Sequence, residues 1–264
     1  MLFVSAILLI AAVVLFFVQR HYRLRLRSLK LANRVNSQSI KQLAADVATE
    51  IGAGSLREYV KLYGRVKSDD PLISELKQVP CVYYSMQVIR EYEERVRSED
   101  SEGRTEWRTE RRSDTISSNS QSTPFLLQDA QGTVRIDPEG AGVETIQVLN
   151  EFRPEGNSNR LSFGGFSLNL DIAVGSGGGR TLGYRYQESI LPLERQVLIV
   201  GEASDQTGEL VIGKPQQNGR KFFISLKSED TLTNHTQNIM TYTTLGAIAS
   251  GVIGVLVGIL GLVS

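Results

Sequence analysis

The sequence predicts a mainly β protein: a small β-barrel or sandwich-like soluble domain flanked by two transmembrane α-helices. Three observations carry that expectation. Both ends of the chain are long and uncharged, most of what lies between them alternates polar and apolar residues with a period of two, and the alternating runs are short and separated by Gly- and Ser-rich turns.

The first stretch, LFVSAILLIAAVVLFFV (residues 2–18), has one Ser and no charge. As a helix rising about 1.5 Å per residue it is about 25 Å long, enough for a bilayer core. A cleaved signal peptide carries its basic residues before the apolar run. Here they follow it, so a retained span over 1–19 is expected. The basic residues are Arg20, Arg23, Arg25, Arg27, Lys30 and Arg34, and no acid precedes Asp46. The whole chain balances 29 bases against 29 acids, and without these six, 23 bases face 29 acids. The cluster is therefore a local device. Bases beside a span stay on the cytoplasmic side, which predicts an integral membrane protein with its soluble segment in the cytoplasm. The lipid bilayer is the first expected partner, and the same cluster can meet anionic headgroups.

Within 20–54, the basic juxtamembrane segment leads into SIKQLAADVATEIG. There Ile40, Leu43, Ala44, Val47 and Ile51 recur at helical spacing. Ser39 with Gln42 reads as a capping box and Gly52 as the stop.

Over 55–238 the period becomes two. In PCVYYSMQVIREYEERV (80–96), Val82, Tyr84, Met86, Val88 and Tyr92 take one face of a strand, and Cys81, Tyr83, Ser85 and Gln87 the other. TEWRTERRSD (105–114) alternates again and folds back on it through SEDSEGR, which sets Glu and Arg opposite each other. Further strands are PFLLQD, GTVRID, VETIQVL, RTLGYRYQ, RQVLIVGEA, ELVIG and KFFISL, with a tight hairpin at DAQG (129–132). SDTISSNSQSTP (113–124) and GSGGG (175–179) read as loops. Ser228 starts a helix that runs into the last stretch.

That stretch, IMTYTTLGAIASGVIGVLVGILGLVS (239–264), has no charge and predicts the second span. Gly246, Ser250, Gly254 and Gly258 recur every four residues, a small-residue face that lets another helix approach closely. It is expected to meet the first span or a second copy, the latter giving a homo-oligomer through this span.

No reactive constellation emerges. One cysteine excludes an intramolecular disulfide. Cys81, His21 and His235 are three residues where a structural zinc site takes four, so no metal and no cofactor are expected. Both histidines abut the expected spans while Cys81 lies mid-domain, so no nucleophile–base pair forms and no catalytic residue is named. AVGSGGGRT (173–181) has Arg180 where a phosphate loop needs lysine, and reads as a flexible loop. Acids alternate with the arginines of 105–114, so no nucleic acid is expected.

The order and spacing of YGRVKS (63–68), PCVYYSMQVIREY (80–92), PFLLQDAQGTVRIDP (124–138), NEFRP (150–154), YQESILPLERQVLIVGEA (186–203), GELVIGKP (208–215) and KFFISLKSEDTL (221–232) resemble a GIDE-type domain. This is the middle part of the mitochondrial and chloroplast-envelope RING-type ubiquitin ligases. The resemblance implies a membrane-anchored domain that binds or recruits an unknown protein partner. It also implies a link to ubiquitin transfer, yet a RING takes eight Cys/His ligands and this sequence holds three. The chain is therefore expected to recruit and not to act as an enzyme, with a ligase-family role and a lipid or membrane-stress sensor as alternatives. The family analogy puts the domain on the face opposite to the one the arginines predict.

Overall fold

The computed structural model describes residues 2–99, 105–156, 160–169 and 179–263. The elements begin with α1 (Leu2–Leu31), β1 (Asn33–Arg34), α2 (Ser37–Glu50), β2 (Arg57–Lys67), β3 (Leu72–Ile73), β4 (Pro80–Glu99) and β5 (Thr105–Ser122). Then come β6 (Phe125–Gln128), β7 (Thr133–Ile136), β8 (Gly142–Val143), β9 (Ile146–Pro154), β10 (Arg160–Phe163) and β11 (Phe166–Asn169). Last are β12 (Arg180–Pro192), β13 (Gln196–Ser204), β14 (Val211–Gly213), β15 (Phe223–Ser225) and α3 (Glu229–Val263). The protein is mainly β with a few helices, as expected. It divides into two compact units. The first comprises Met1–Gly64, Leu127–Gly142 and Gln196–Ser264, and the second Arg65–Leu126 and Val143–Arg195.

In the first unit, β2, β6, β7, β14 and β13 are hydrogen-bonded in that order, and β13 returns to β2. Five strands thus close into a barrel, which removes its free edges. The sequence QVLIVGEAS of β13 is apolar almost throughout because both of its faces are buried. Leu198 and Val200 join Leu29, Ala32, Tyr59, Phe223 and Leu232 in one cluster on one side. Strand alternation turns the fully buried Val197 and Ile199 to the other side, the barrel interior.

The feet of α1 and α3 are fixed to this barrel by polar contacts. Tyr59 donates to the Lys221 carbonyl at 2.7 Å, the Lys221 amide donates to Ser28 Oγ at 3.0 Å, and Lys61 pairs with Glu229 at 2.5 Å. Farther out, α1 and α3 run antiparallel. Gln19 Nε2 donates to Thr244 Oγ1 at 2.6 Å, and Leu15 lies 3.3 Å from where a Cβ on Gly246 would be. Among the described residues no helix is long and apolar enough to cross a membrane. The helix boundaries also differ from the expected 1–19 and 239–264: α1 continues through the basic segment to Leu31, and α3 starts at Glu229.

The short helix α2 is where the spacing placed it, but its cap is one turn earlier. Asn36, not Ser39, is the N-cap. Its side chain accepts from the Ser39 amide at 2.7 Å while the Asn36 amide donates to Ser39 Oγ at 3.1 Å. Gly52 ends the helix with φ +120°, its amide donating to the Val47 carbonyl. Asp129 at the DAQG turn adds a second cap, accepting from the Ser37 amide and hydroxyl, each at 2.6 Å, and from the Gln131 and Gly132 amides. Burial works against the charge, but these four donors outweigh it and hold the Asp129 carboxyl below the ordinary aspartate value. A lowered folded pKa contributes stability that is present above the unfolded value and lost as pH falls through the folded one. Asp129→Ala is therefore expected to cost about 2 kcal/mol at pH 7, with the difference from wild type shrinking below about pH 4. Urea unfolding at pH 7 and pH 3 measures it.

In the second unit, β9, β12, β4 and then β5 lie side by side, with β3 on the start of β4, and β10–β11 form a separate hairpin. The core occupies one sheet face, with Tyr84, Met86 and Val88 from β4, Tyr184, Tyr186 and Ile190 from β12, and Leu149 and Phe166. Cys81 belongs to this core. The alternation placed it on the opposite face from Tyr84, but the ladder to β12 skips a residue between Tyr83↔Leu191 and Cys81↔Pro192. That bulge at Val82 turns Cys81 inward. Its thiol is fully buried, and burial, with Glu188 nearby, pushes it up to about 11. A maleimide is expected to leave Cys81 unmodified in the folded protein at pH 7.5 and to label it fully in denaturant, read by intact-mass measurement.

A second correction concerns 113–124. It is not a loop: β5 stays paired with β4 from Thr105 to Ser122, with only a bulge at Ile116. The expected Glu–Arg pairing across this hairpin is present between Arg111 and Glu93 (3.6 Å) and between Arg112 and Glu94 (2.9 Å), though Glu94 stands directly opposite Glu110.

Candidate functional site

Alternation along β4 and β12 leaves a polar outer face on the second unit's sheet. With Tyr84, Met86 and Val88 in the core, Tyr83, Ser85 and Gln87 face outward. The face is knitted by side-chain amides across three strands. Gln87 Nε2 donates to Gln187 Oε1 at 2.6 Å, and both Gln187 Nε2 (3.5 Å) and Arg185 Nη1 (3.3 Å) donate to Asn150 Oδ1. Arg185 Nε reaches Glu91 at 2.7 Å, and its guanidinium lies 5.5 Å from the centre of the Phe152 ring. A cleft of about 380 Å³ opens on this face between Tyr83, Ser85, Gln87, Ser118, Gln147 and Gln187. Its hydroxyls and amides both donate and accept, which suits the backbone and polar side chains of a protein segment.

The opposite face is held by Glu188, which sequence reasoning missed. It is almost fully buried, and its carboxylate accepts from Ser74 Oγ (2.8 Å), the Leu76 amide (2.7 Å) and the Lys77 amide (2.8 Å). The carboxylate is thus engaged as an anchor for the 74–77 turn, between β3 and β4. The first unit has its own cleft, about 540 Å³, among Asp137, Glu139, Glu202 and Lys214. Among the described residues no group of three or more His, Cys, Asp or Glu is placed to hold a metal.

The six expected basic residues have different surroundings. Arg20, Arg23, Arg27 and Lys30 are exposed, and their spacing of three, four and three sets them on one face of α1. Arg25 turns the other way and lies over the Phe223 ring at 4.8 Å. Arg34 is in β1, opposite Lys61 of β2. Of the small residues, Gly246 faces Leu15 of the same chain, Gly254 is buried, and Ser250 donates to the Gly246 carbonyl at 2.7 Å. Gly251, outside the expected set, lies 4.0 Å from Ala12 by its Cβ position. The surroundings of Gly258, the side chains of His21 and His235, and most of the glycine run at 173–181 lie outside the described residues.

Comparison with known families decides what this arrangement belongs to. A profile for GIDE, described as E3 ubiquitin ligase, matches residues 93–259, more than half of the 264. The chain belongs to the GIDE family. The GIDE match opens within β4 at Glu93 and runs through β12, β13 and β15 into α3. The motifs before it, at 63–68 and 80–92, lie outside the matched residues, yet β4 is one continuous strand across that boundary. No curated protein and no solved structure matches the GIDE chain.

Proposed function

We propose that this GIDE-family chain is a membrane-anchored recruiting module. The α1–α3 hairpin is its anchor, and the polar sheet face with its cleft is where a protein partner docks. One observation carries the anchor: the outer surface of the hairpin is apolar and uncovered. Phe3, Ile7, Ile10, Phe17, Leu245 and Leu256 are each more than half exposed, an arrangement unfavourable in water and favourable in lipid. Gln19 and Thr244 pair where this apolar half meets the polar half, about where an interface would lie. In this reading the uncharged sequence stretches 2–18 and 239–264, taken whole, make two spans, although the described residues alone give no helix long and apolar enough to cross, and the cations after the first keep the domain in the cytoplasm. The small-residue positions Gly246, Ser250 and Gly254 serve packing between the spans. Ubiquitin transfer by a RING is not assigned to these residues, because the eight ligands it takes exceed the three Cys and His in the sequence.

The test is alkaline carbonate extraction followed by detergent. Retention in the membrane pellet at pH 11 and release by detergent is the expected result; release by carbonate alone would rule out the anchor. Sidedness is read separately by placing cysteine at the exposed Ser118 and labelling intact cells with an impermeant thiol reagent. Labelling before the cells are opened would refute the cytoplasmic placement.

A second reading, a lipid sensor, draws on the one-sided stripe of Arg20, Arg23, Arg27 and Lys30. Each basic side chain near an anionic surface contributes about 1 kcal/mol. Flotation with and without anionic lipid separates the readings. Binding that ignores lipid charge leaves recruitment alone.

A further inference from the structure

Among the described residues the hairpin of β4 and β5 outgrows its sheet. There the ladder between β12 and β4 runs to Arg180↔Glu93, while β4 and β5 stay paired out to Glu99↔Thr105. Beyond Glu93 the described residues form a two-stranded ribbon, a structure that is marginal in water on its own. The far edge of β5 pairs with no strand among the described residues, and from Thr105 to Thr115 every residue of β5 is exposed. Trp107, the chain's one tryptophan, is 65% exposed there. Proteins normally protect such an edge with charges that repel a second strand. The charges here do the reverse.

We propose that two copies of this chain associate by antiparallel pairing of their β5 edges, centred on Thr109. In that register Glu106 stands opposite Arg112 of the second copy, Arg108 opposite Glu110, and Thr109 opposite itself. On the other strand face Trp107 meets Arg111, a cation–π pair. Two-fold symmetry repeats each pair, giving four Glu–Arg pairs and two Trp–Arg pairs. Moving the centre by one residue either way sets like charges opposite: Arg108 on Arg108 and Glu106 on Glu110 in one direction, Glu110 on Glu110 and Arg108 on Arg112 in the other. On the free edge of β4, a centre at Val96 sets Arg95 opposite Arg97. Arg111 and Arg112 also pair with Glu93 and Glu94 of their own hairpin, and Arg112 with Glu110 on its own strand at 3.4 Å; these are solvent-exposed contacts of little worth, which the intermolecular pairs would replace. The proposal is independent of the docking face and of the membrane anchor.

The full chain in detergent tests it, with buried Cys81 left in place. Residues opposite each other in an antiparallel pair have Cα atoms about 4.5–5.5 Å apart, within disulfide reach. Thr109→Cys is therefore expected to give a covalent dimer under mild oxidation. Arg111→Cys, whose two copies would be about 13 Å apart, gives none. No cross-link at Thr109, or equal cross-linking at both positions, would overturn the pairing. Arg108→Glu is expected to weaken the non-covalent dimer about tenfold, and Arg108→Glu with Glu110→Arg to restore it. Failure of the double variant to recover, with the fold intact by circular dichroism, would equally count against the proposal. Dimer formation is followed by the emission of Trp107, which shifts to the blue as the ring leaves water.

Discussion

Glu188→Ala is expected to lower the stability of the strand-rich second unit by about 3–5 kcal/mol, the largest loss from any single side chain described above. The carboxylate serves Ser74 Oγ and the Leu76 and Lys77 amides together, with only 1% of the residue exposed. Truncation leaves the Ser74 hydroxyl and the Leu76 amide buried without this acceptor, each costing about 1–3 kcal/mol, and the Lys77 amide part-buried without it. It also leaves a void next to Leu76 and Cys81 in the same core. Glu188→Gln keeps the volume but retains only one acceptor oxygen and turns an NH₂ group toward the donors, so it should fall between wild type and alanine. Urea unfolding followed by near-ultraviolet circular dichroism measures both. A loss below about 1 kcal/mol for alanine would mean that water replaces the carboxylate, and the anchoring role would fall. The same variant is expected to expose Cys81 to maleimide, a readout of local opening that needs no denaturant.

Gly164→Ala is expected to cost about 3 kcal/mol at the other side of the same turn. Gly164 has φ +57°, a left-handed conformation that costs an L side chain about 1–2 kcal/mol. A Cβ there would also lie 2.1 Å from the Leu76 carbonyl oxygen, so backbone must move. That movement pulls on the bond from the Gly165 amide to the Glu75 carbonyl, 2.8 Å, which ties the β10–β11 hairpin to the 74–77 turn. Gly156→Ala, with nothing within 4 Å, is the control and should be close to neutral. Because Glu188 and Gly164 act on one turn, the double variant should cost less than the sum. A strictly additive double would show that the two hold the turn separately.

Most strands were legible because burial on one face writes itself as alternation, and β13 because burial on both faces writes itself as a continuous apolar run. Cys81 was misplaced because a bulge at Val82 carries no residue signature; the alternation is correct on either side of it and inverts across it. The segment 113–124 was misread because Ser, Asn and Thr suit turns, while here they occupy an exposed strand held by its neighbour. Of the candidate docking face, the outward direction of Tyr83, Ser85 and Gln87 was readable, but the cross-strand links from Gln187 and Arg185 to Asn150 were not. They depend on which strand neighbours which, and β12 lies between β4 and β9 although both precede it in the chain. Glu188 was hidden for the same reason, since the donors it serves are over a hundred residues away. In the basic segment, the spacing that sets Arg20, Arg23, Arg27 and Lys30 on one face was present in the sequence. It becomes meaningful only once α1 is known to continue through it.

The closed barrel also sets a timetable. Its first strand, β2, is complete once Lys67 has been made, but the strand that closes the ring, β13, starts at Gln196. Tyr59 waits still longer for Lys221, 162 positions on. During synthesis β2, with Val60 and Leu62 destined for full burial, therefore lacks its β13 neighbour until the last quarter of the chain has emerged. A nascent chain halted before Gln196 would carry an open strand edge and an unfinished core, the features on which chaperones and proteases act.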